Sequence, residues 1–270
     1  MPTVAANGIE IYHELHGEGP RLLFVNGSGA TLEQTGMMLA PYAQRFEVLA
    51  FDQRGLGRTS IPAGPYEMAD YAADAAALLD AVGWDSCRVT GTSFGGMVAQ
   101  EFAVTFPDRV ERLALVCTSP GGDFASYPLH TLADLPPEEA AKVAPQLLDT
   151  RFTPEWLATH DDDRAVAEMV GAMRGAEKPD AVRRGELAQL DARSRLDVLD
   201  RLHHITCPTL VASGRFDGIA PPRNGEEIAA RVPGADLRLY EGGHLFMMQD
   251  PQAMPDILDF LAADNEGEGP

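Results

Sequence analysis

Short apolar runs recur along this chain, each bounded by Gly, Pro, Asp or Asn and each separated from the next by a stretch of helical pattern. The runs are Leu22–Val25, Val48–Phe51, Arg88–Thr90, Leu113–Cys117 and Thr209–Ser213. They are mostly apolar and do not alternate, as strands do when a parallel sheet is covered on both faces. Helical patterns lie between them: Leu32–Gln44, the Ala- and Leu-rich Asp70–Val82 with Gly83 at its stop, and Phe94–Thr105 closed by Pro107. This alternation predicts an α/β fold built on a parallel sheet. Ile9–Leu15 alternates instead, and follows Thr3–Ala6 across Asn7-Gly8, a two-residue hairpin signal. A last strand, Asp236–Tyr240, and a last helix, Gln252–Ala263, complete the pattern.

The alternation breaks after Cys117. From about Gly121 to His204 no strand-like run occurs, and helix starts stand at Pro136-Pro137-Glu138-Glu139 and Thr153-Pro154-Glu155. The segment is too long for a loop and is expected to be a helical insertion. The expected organisation is a core in two parts, 1–120 and 206–263, a helical cap over 121–205, and a polar, Gly-rich, disordered tail over 264–270.

With 270 residues and 45% hydrophobic content, the chain can bury a large core. Its 21 basic and 41 acidic residues leave a net charge of −20. Such a surface repels phosphate backbones and anionic membranes, so neither nucleic acid nor a membrane is an expected partner; a small-molecule substrate is. No run of about 18 apolar residues exists, and the first residues, Met1 to Gly8, do not read as a signal peptide. Cys87, Cys117 and Cys207 are widely spaced and form no C-x-x-C, so they are expected to be reduced, mostly buried thiols of a cytoplasmic protein. Cys, His and carboxylate spacings show no zinc pattern, and neither metal nor organic cofactor is expected. Oligomeric state is not legible.

Ser93 stands in Gly91-Thr92-Ser93-Phe94-Gly95, between an apolar strand and a helix. A chain that reverses sharply there lifts the serine side chain clear of the sheet edge, and glycines two residues before and after remove side chains that would clash. The helix N-terminus favours negative charge developing beside it. A serine nucleophile needs a base, and the base a group that orients it. Two other strand ends supply them: Asp217 after Thr209–Ser213, and His244 after Asp236–Tyr240. All three lie just past the C-terminal ends of strands, in the order Ser93, Asp217, His244.

Together with Asn26-Gly27-Ser28-Gly29, the run from Asp52 to Ser60 (DQRGLGRTS), Gly214-Arg215-Phe216-Asp217 and Gly243-His244, the serine turn resembles the α/β-hydrolase fold family over nearly the whole chain. It is similar to the branch with a helical cap after the sixth strand, which includes carboxylesterases, enol-lactonases, C–C bond hydrolases and cofactor-free haloperoxidases. The resemblance implies a mostly parallel eight-stranded sheet, Ser93 as nucleophile, His244 as proton carrier, Asp217 as its orienting acid, and the backbone N–H groups of Ser28 and Phe94 as oxyanion donors. It implies cleavage of a small-molecule carboxylic ester or lactone through an acyl-enzyme. C–C bond hydrolysis of ring-cleavage products and perhydrolysis use the same three residues, and a slow-turnover ligand receptor is the non-enzymatic alternative. The family often has His-Gly where this chain has Asn26-Gly27; Asn can hydrogen-bond the local backbone in its place.

Other features are weighed against plainer roles. Gly27, Met97, Trp156 and Met247 are candidate pocket residues, and Phe152, Met169 and Met173 are shared between pocket lining and cap packing. Asp123 is the alternative acid; its plainer reading is an exposed loop carboxylate. Gly27-Ser28-Gly29 with Asp52 invites a dinucleotide-binding reading, but Leu32 stands where a third small residue is needed. Arg54 and Arg58 are expected to fix their turn. The remaining histidines are expected to be structural or superficial, with His203 and His204 pointing apart.

Overall fold

The computed structural model describes residues 2–174 and 179–264. Its strands are β1 (Thr3–Ala6), β2 (Ile9–His16), β3 (Arg21–Val25), β4 (Glu47–Phe51), β5 (Cys87–Thr92), β6 (Val110–Val116), β7 (Thr209–Gly214) and β8 (Asp236–Tyr240). They form one sheet in the order β1-β2-β4-β3-β5-β6-β7-β8. The first two strands are a hairpin that joins β4 antiparallel, and every pair from β4 to β8 is parallel. Asn7 and Gly8 both take positive φ, 49° and 75°, as a two-residue turn of this twist requires.

Side chains alternate between the two faces along each strand, and in the central strands both faces are buried. Leu23, Val25, Leu49, Val89, Leu113, Leu115 and Val211 enter one apolar cluster. Leu22, Phe24, Val48, Ala50, Ala114, Val116, Leu210 and Ala212 enter the other. At roughly 1.5–3 kcal/mol for each large side chain buried, these two layers dominate the favourable side of folding. Helices α2 (Met68–Val82) and α3 (Phe94–Thr105) cover the first face; α1 (Gly36–Ala43) and the C-terminal helix Ala253–Ala262 cover the second.

The segment between β6 and β7 carries α4 (Pro137–Leu148), α5 (Pro154–Leu157), α6 (Asp161–Arg174) and α7 (Asp180–Ser194), and no strand among the described residues. Leu147, Leu148 and Phe152 join Ile219 of the core in a third, smaller apolar cluster, which seats these helices over the C-terminal sheet edge. The order then ends with α8 (Pro222–Arg231), α9 (Phe246–Gln249) and α10, the helix Ala253–Ala262 already described. No helix among the described residues is long and apolar enough to cross a membrane. The expected disordered tail falls almost wholly on residues 265–270, and the Met173 side chain is likewise outside the described residues.

The helix expected over Leu32–Gln44 is broken. A 3-10 turn, Leu32–Gln34, is followed at Thr35 by α1. The Thr35 hydroxyl donates toward the carbonyls of Thr31 and Leu32 and accepts from Asn26 Nδ2. Local side-chain bonding of this kind competes with a continuous helix.

Candidate active site

Strand β5 runs straight into α3 through Ser93, whose φ of 56° and ψ of −115° lie outside the common regions for a non-glycine residue. The neighbours show why glycine flanks it. A Cβ on Gly91 would lie 2.2 Å from the Gly95 carbonyl oxygen, and one on Gly95 2.0 Å from the Val25 carbonyl oxygen. The turn is held by Ser93 N–H donating to the Val116 carbonyl (2.8 Å) and by the Thr118 hydroxyl donating to the Ser93 carbonyl (2.7 Å). Phe94 is fully buried with its ring edge-on to Tyr71, centroids 5.0 Å apart.

The loops after β7 and β8 bring the other two residues to Ser93. His244 Nε2 lies 2.9 Å from Ser93 Oγ, and His244 Nδ1 lies 2.8 Å from Asp217 Oδ2. All three are buried. Asp217 Oδ1 accepts the N–H groups of Ile219 and Ala220, both at 2.8 Å, so the carboxylate is fixed by its own loop. A carboxylate only accepts, so Nδ1 carries the proton toward it, and Nε2 is left to accept from the serine hydroxyl. Cys117 is close by, but burial, reinforced by the charge of Asp217, pushes its thiol well up. The thiolate a cysteine nucleophile would need is therefore suppressed.

The loop after β3 lies against the serine: a Cβ on Gly27 would be 3.7 Å from Ser93 Cβ. Ser28 follows Gly27 on this loop, and Phe94 follows Ser93 at the start of α3. Asn26 does not bond the local backbone through its side chain; its Nδ2 donates to the Thr35 hydroxyl, while Gln53 Nε2 caps its carbonyl at 2.9 Å.

The helices over the site grip it. The His244 N–H donates to the Leu148 carbonyl at the end of α4, and Thr150 N–H to the Phe216 carbonyl beside Asp217. Gln249 Nε2, on α9, reaches Asp149 (3.0 Å) and Asp163 (3.1 Å). Gln189 of α7 accepts the Gly29 N–H at 2.7 Å and so steadies the loop carrying Ser28. The sequence pattern does not single out Asp149, Gln189 or Gln249: they are polar residues in helical or loop patterns, and only the docking of the segment buries the first two and half-buries the third.

The candidate pocket residues separate. Gly27 adjoins Ser93. Met97 packs into the first core cluster and Met247 against the second. Trp156 is engaged by its neighbours in the segment between β6 and β7: its indole N–H donates to Asp163, its ring stacks on His160 with centroids 3.8 Å apart, and Arg151 lies over it. Asp123 is exposed, while Asp217 takes the place beside His244. Asp52 is spent on the N–H groups of Leu32 and Arg58. Arg54 forks onto Asp74 of α2 at 2.6 and 2.7 Å, and Arg58 lies 3.5 Å above the Tyr12 ring. His203 and His204 do not point apart: they share a 3-10 turn, which brings their ring centroids to 4.1 Å. No group of three or more metal-ligating side chains occurs among the described residues.

Comparison with known proteins identifies the fold. A family model described as alpha/beta hydrolase fold matches residues 20–251. A poly(3-hydroxyalkanoate) depolymerase of Ectopseudomonas oleovorans is 30% identical, over 91% of this chain and 85% of its own. A 3-oxoadipate enol-lactonase of Acinetobacter baylyi is 26% identical, over 93% and 92%. Among solved structures, a hydrolase from Pseudomonas aeruginosa PA01 is 32% identical and superposes with a TM-score of 0.79, covering 97% of this chain and 98% of that one.

Proposed function

The chain belongs to the alpha/beta hydrolase fold family and is a hydrolase, and from that premise we propose that it cleaves a small-molecule carboxylic ester or lactone through an acyl-enzyme on Ser93. The observation that carries the proposal is the unbroken relay Ser93 Oγ–His244 Nε2 and His244 Nδ1–Asp217 Oδ2, at 2.9 and 2.8 Å. An enol-lactonase among the relatives is in keeping with it.

The chemistry follows from these atoms. Ser93 Oγ bonds to the acyl carbon as its proton passes to His244 Nε2. The carbonyl oxygen becomes an oxyanion facing the N–H groups of Ser28 and Phe94, where each well-placed donor is worth roughly 3 kcal/mol in the transition state. The bond from acyl carbon to leaving oxygen then breaks, and His244 gives its proton to that oxygen. For a lactone the alcohol so formed stays attached to the acyl group. A water then attacks the acyl carbon, losing a proton to His244, and the acid departs as Ser93 regains its hydrogen. Asp217 keeps the imidazole in the required tautomer and stabilises its cationic form.

Ser93→Ala is expected to lower kcat on p-nitrophenyl butyrate by roughly 10⁴-fold or more while the far-UV circular dichroism stays that of the wild type. Wild-type turnover by the folded variant would overturn the proposal.

A further inference from the structure

Helix α7 buries a polar stripe against the site. Its buried residues, Gly185, Gln189, Ala192 and Arg193, recur at helical spacing, so they share one face. Arg193 is 6% exposed. Its Nε and Nη2 both reach the Ser126 hydroxyl, at 3.1 and 2.7 Å, and its Nη1 has no hydrogen-bond partner among the described residues. No carboxylate among them lies within ion-pairing distance of it. The negative charge that acts on it is that of Asp217, and both oxygens of that group are already engaged, by two backbone N–H groups and by His244. Burial lowers the Arg193 pKa to about 10, which leaves the side chain cationic at neutral pH.

Gln189, one turn earlier on the same face, repeats the pattern. Its Oε1 is committed to Gly29 N–H, while its Nε2 is buried without a partner among the described residues. Residues four apart on a helix share a face, so Gln189 and Arg193 sit one turn apart on the same side of α7. Arg193 lines a cavity of about 280 Å³ together with Ser119, Ser126, Tyr127, His130 and Leu190. Ser119 follows Thr118, whose hydroxyl touches the Ser93 carbonyl. On the other side, Gln189 holds the loop whose Gly27 faces Ser93. A buried guanidinium with no ion-pair partner is destabilising unless an anion completes it, and its fork suits a carboxylate.

We propose that Arg193, with Gln189 beside it, is the subsite for a carboxylate on the substrate, so that the molecules this chain hydrolyses are short esters or lactones bearing a free carboxylate. The inference rests on the Ser93 reading for its chemistry but not for its binding. It makes Arg193 a specificity residue, touching the substrate away from the bond that breaks.

The test compares mono-p-nitrophenyl glutarate with p-nitrophenyl butyrate. Wild-type kcat/KM is expected to favour the charged ester at least tenfold. In Arg193→Gln that ratio is expected to fall at least tenfold, chiefly through KM, and in Arg193→Lys to recover in part. An unchanged ratio in Arg193→Gln, or a wild type that prefers the neutral ester, overturns the proposal. Should Arg193→Gln fail to fold, the wild type decides: glutarate is expected to inhibit butyrate-ester hydrolysis competitively, and glutaramide is not. Equal inhibition by both, or none by glutarate, overturns the subsite. Calorimetric binding of glutarate to Ser93→Ala reads the subsite without turnover, so its failure is distinct from a failure of the serine chemistry.

Discussion

Ser93 holds a backbone conformation that costs free energy, of the order of 1–3 kcal/mol, and the surrounding contacts impose it. Gly95 is the tightest of these, since a Cβ there meets the carbonyl of a central strand, which cannot give way. Gly95→Ala is therefore expected to lose about 1–3 kcal/mol of stability in urea unfolding and at least 100-fold in kcat. Wild-type kinetics in that variant would show that the turn tolerates opening. Arg193 has the reverse signature. Its depressed pKa means the folded state gives up this proton more readily than the unfolded chain, so folding is penalised below about pH 10 and relieved above it. Arg193→Met is then expected to unfold at the same or a higher urea concentration than the wild type, and a loss of more than about 2 kcal/mol would assign the guanidinium to packing instead. The two residues also differ in how far the sequence discloses them. Ser93, Asp217 and His244 are legible because each follows a short strand pattern closed by a glycine, Gly91, Gly214 and Gly242 in turn. Arg193 is not: it lies in a helix that also carries Arg183 and Arg184, both exposed, and nothing in the local pattern says which arginine the docked segment covers.

At the scale of elements, the central strands read from hydrophobicity because their middles are buried on both faces and carry few polar positions. Their ends moved: β6 begins at Val110, where the alternation in Val110-Glu111-Arg112 conceals the strand, and β5 runs on to Thr92 through Gly91. The helices between β6 and β7 were legible as helices but not as partners. Their seat on the core depends on close backbone approach, as where a Cβ on Gly185 of α7 would fall 1.9 Å from the Gly55 carbonyl oxygen. Gly185→Ala is expected to push α7 outward, withdrawing Gln189 from Gly29 N–H and Arg193 from its cavity. The charged-to-neutral ester ratio should fall several-fold and the melting temperature by a few degrees, measured on the same preparation. A ratio unchanged by this substitution would mean that α7 does not position the subsite.

The whole molecule carries a net charge of −20, which opposes the approach of an anionic substrate. Mobile ions screen that long-range repulsion but reach a buried guanidinium far less. Raising ionic strength from 10 to about 200 mM is therefore expected to increase kcat/KM for the glutarate hemiester several-fold and to leave the neutral ester within about twofold. A decrease for the hemiester would place its recognition on an exposed, screened surface. The fold as a whole is a sheet that delivers three side chains to one edge and a helical segment that closes over them. On the proposed reading that assembly forms a covalent bond at a single oxygen, Ser93 Oγ. The most direct measurement is rapid acid quenching of wild-type protein during turnover of a p-nitrophenyl ester, followed by mass spectrometry of its peptides. The account predicts one acyl group per chain, on Ser93, absent from Ser93→Ala. An acyl group on another residue, or hydrolysis by Ser93→Ala at the wild-type rate, would contradict it.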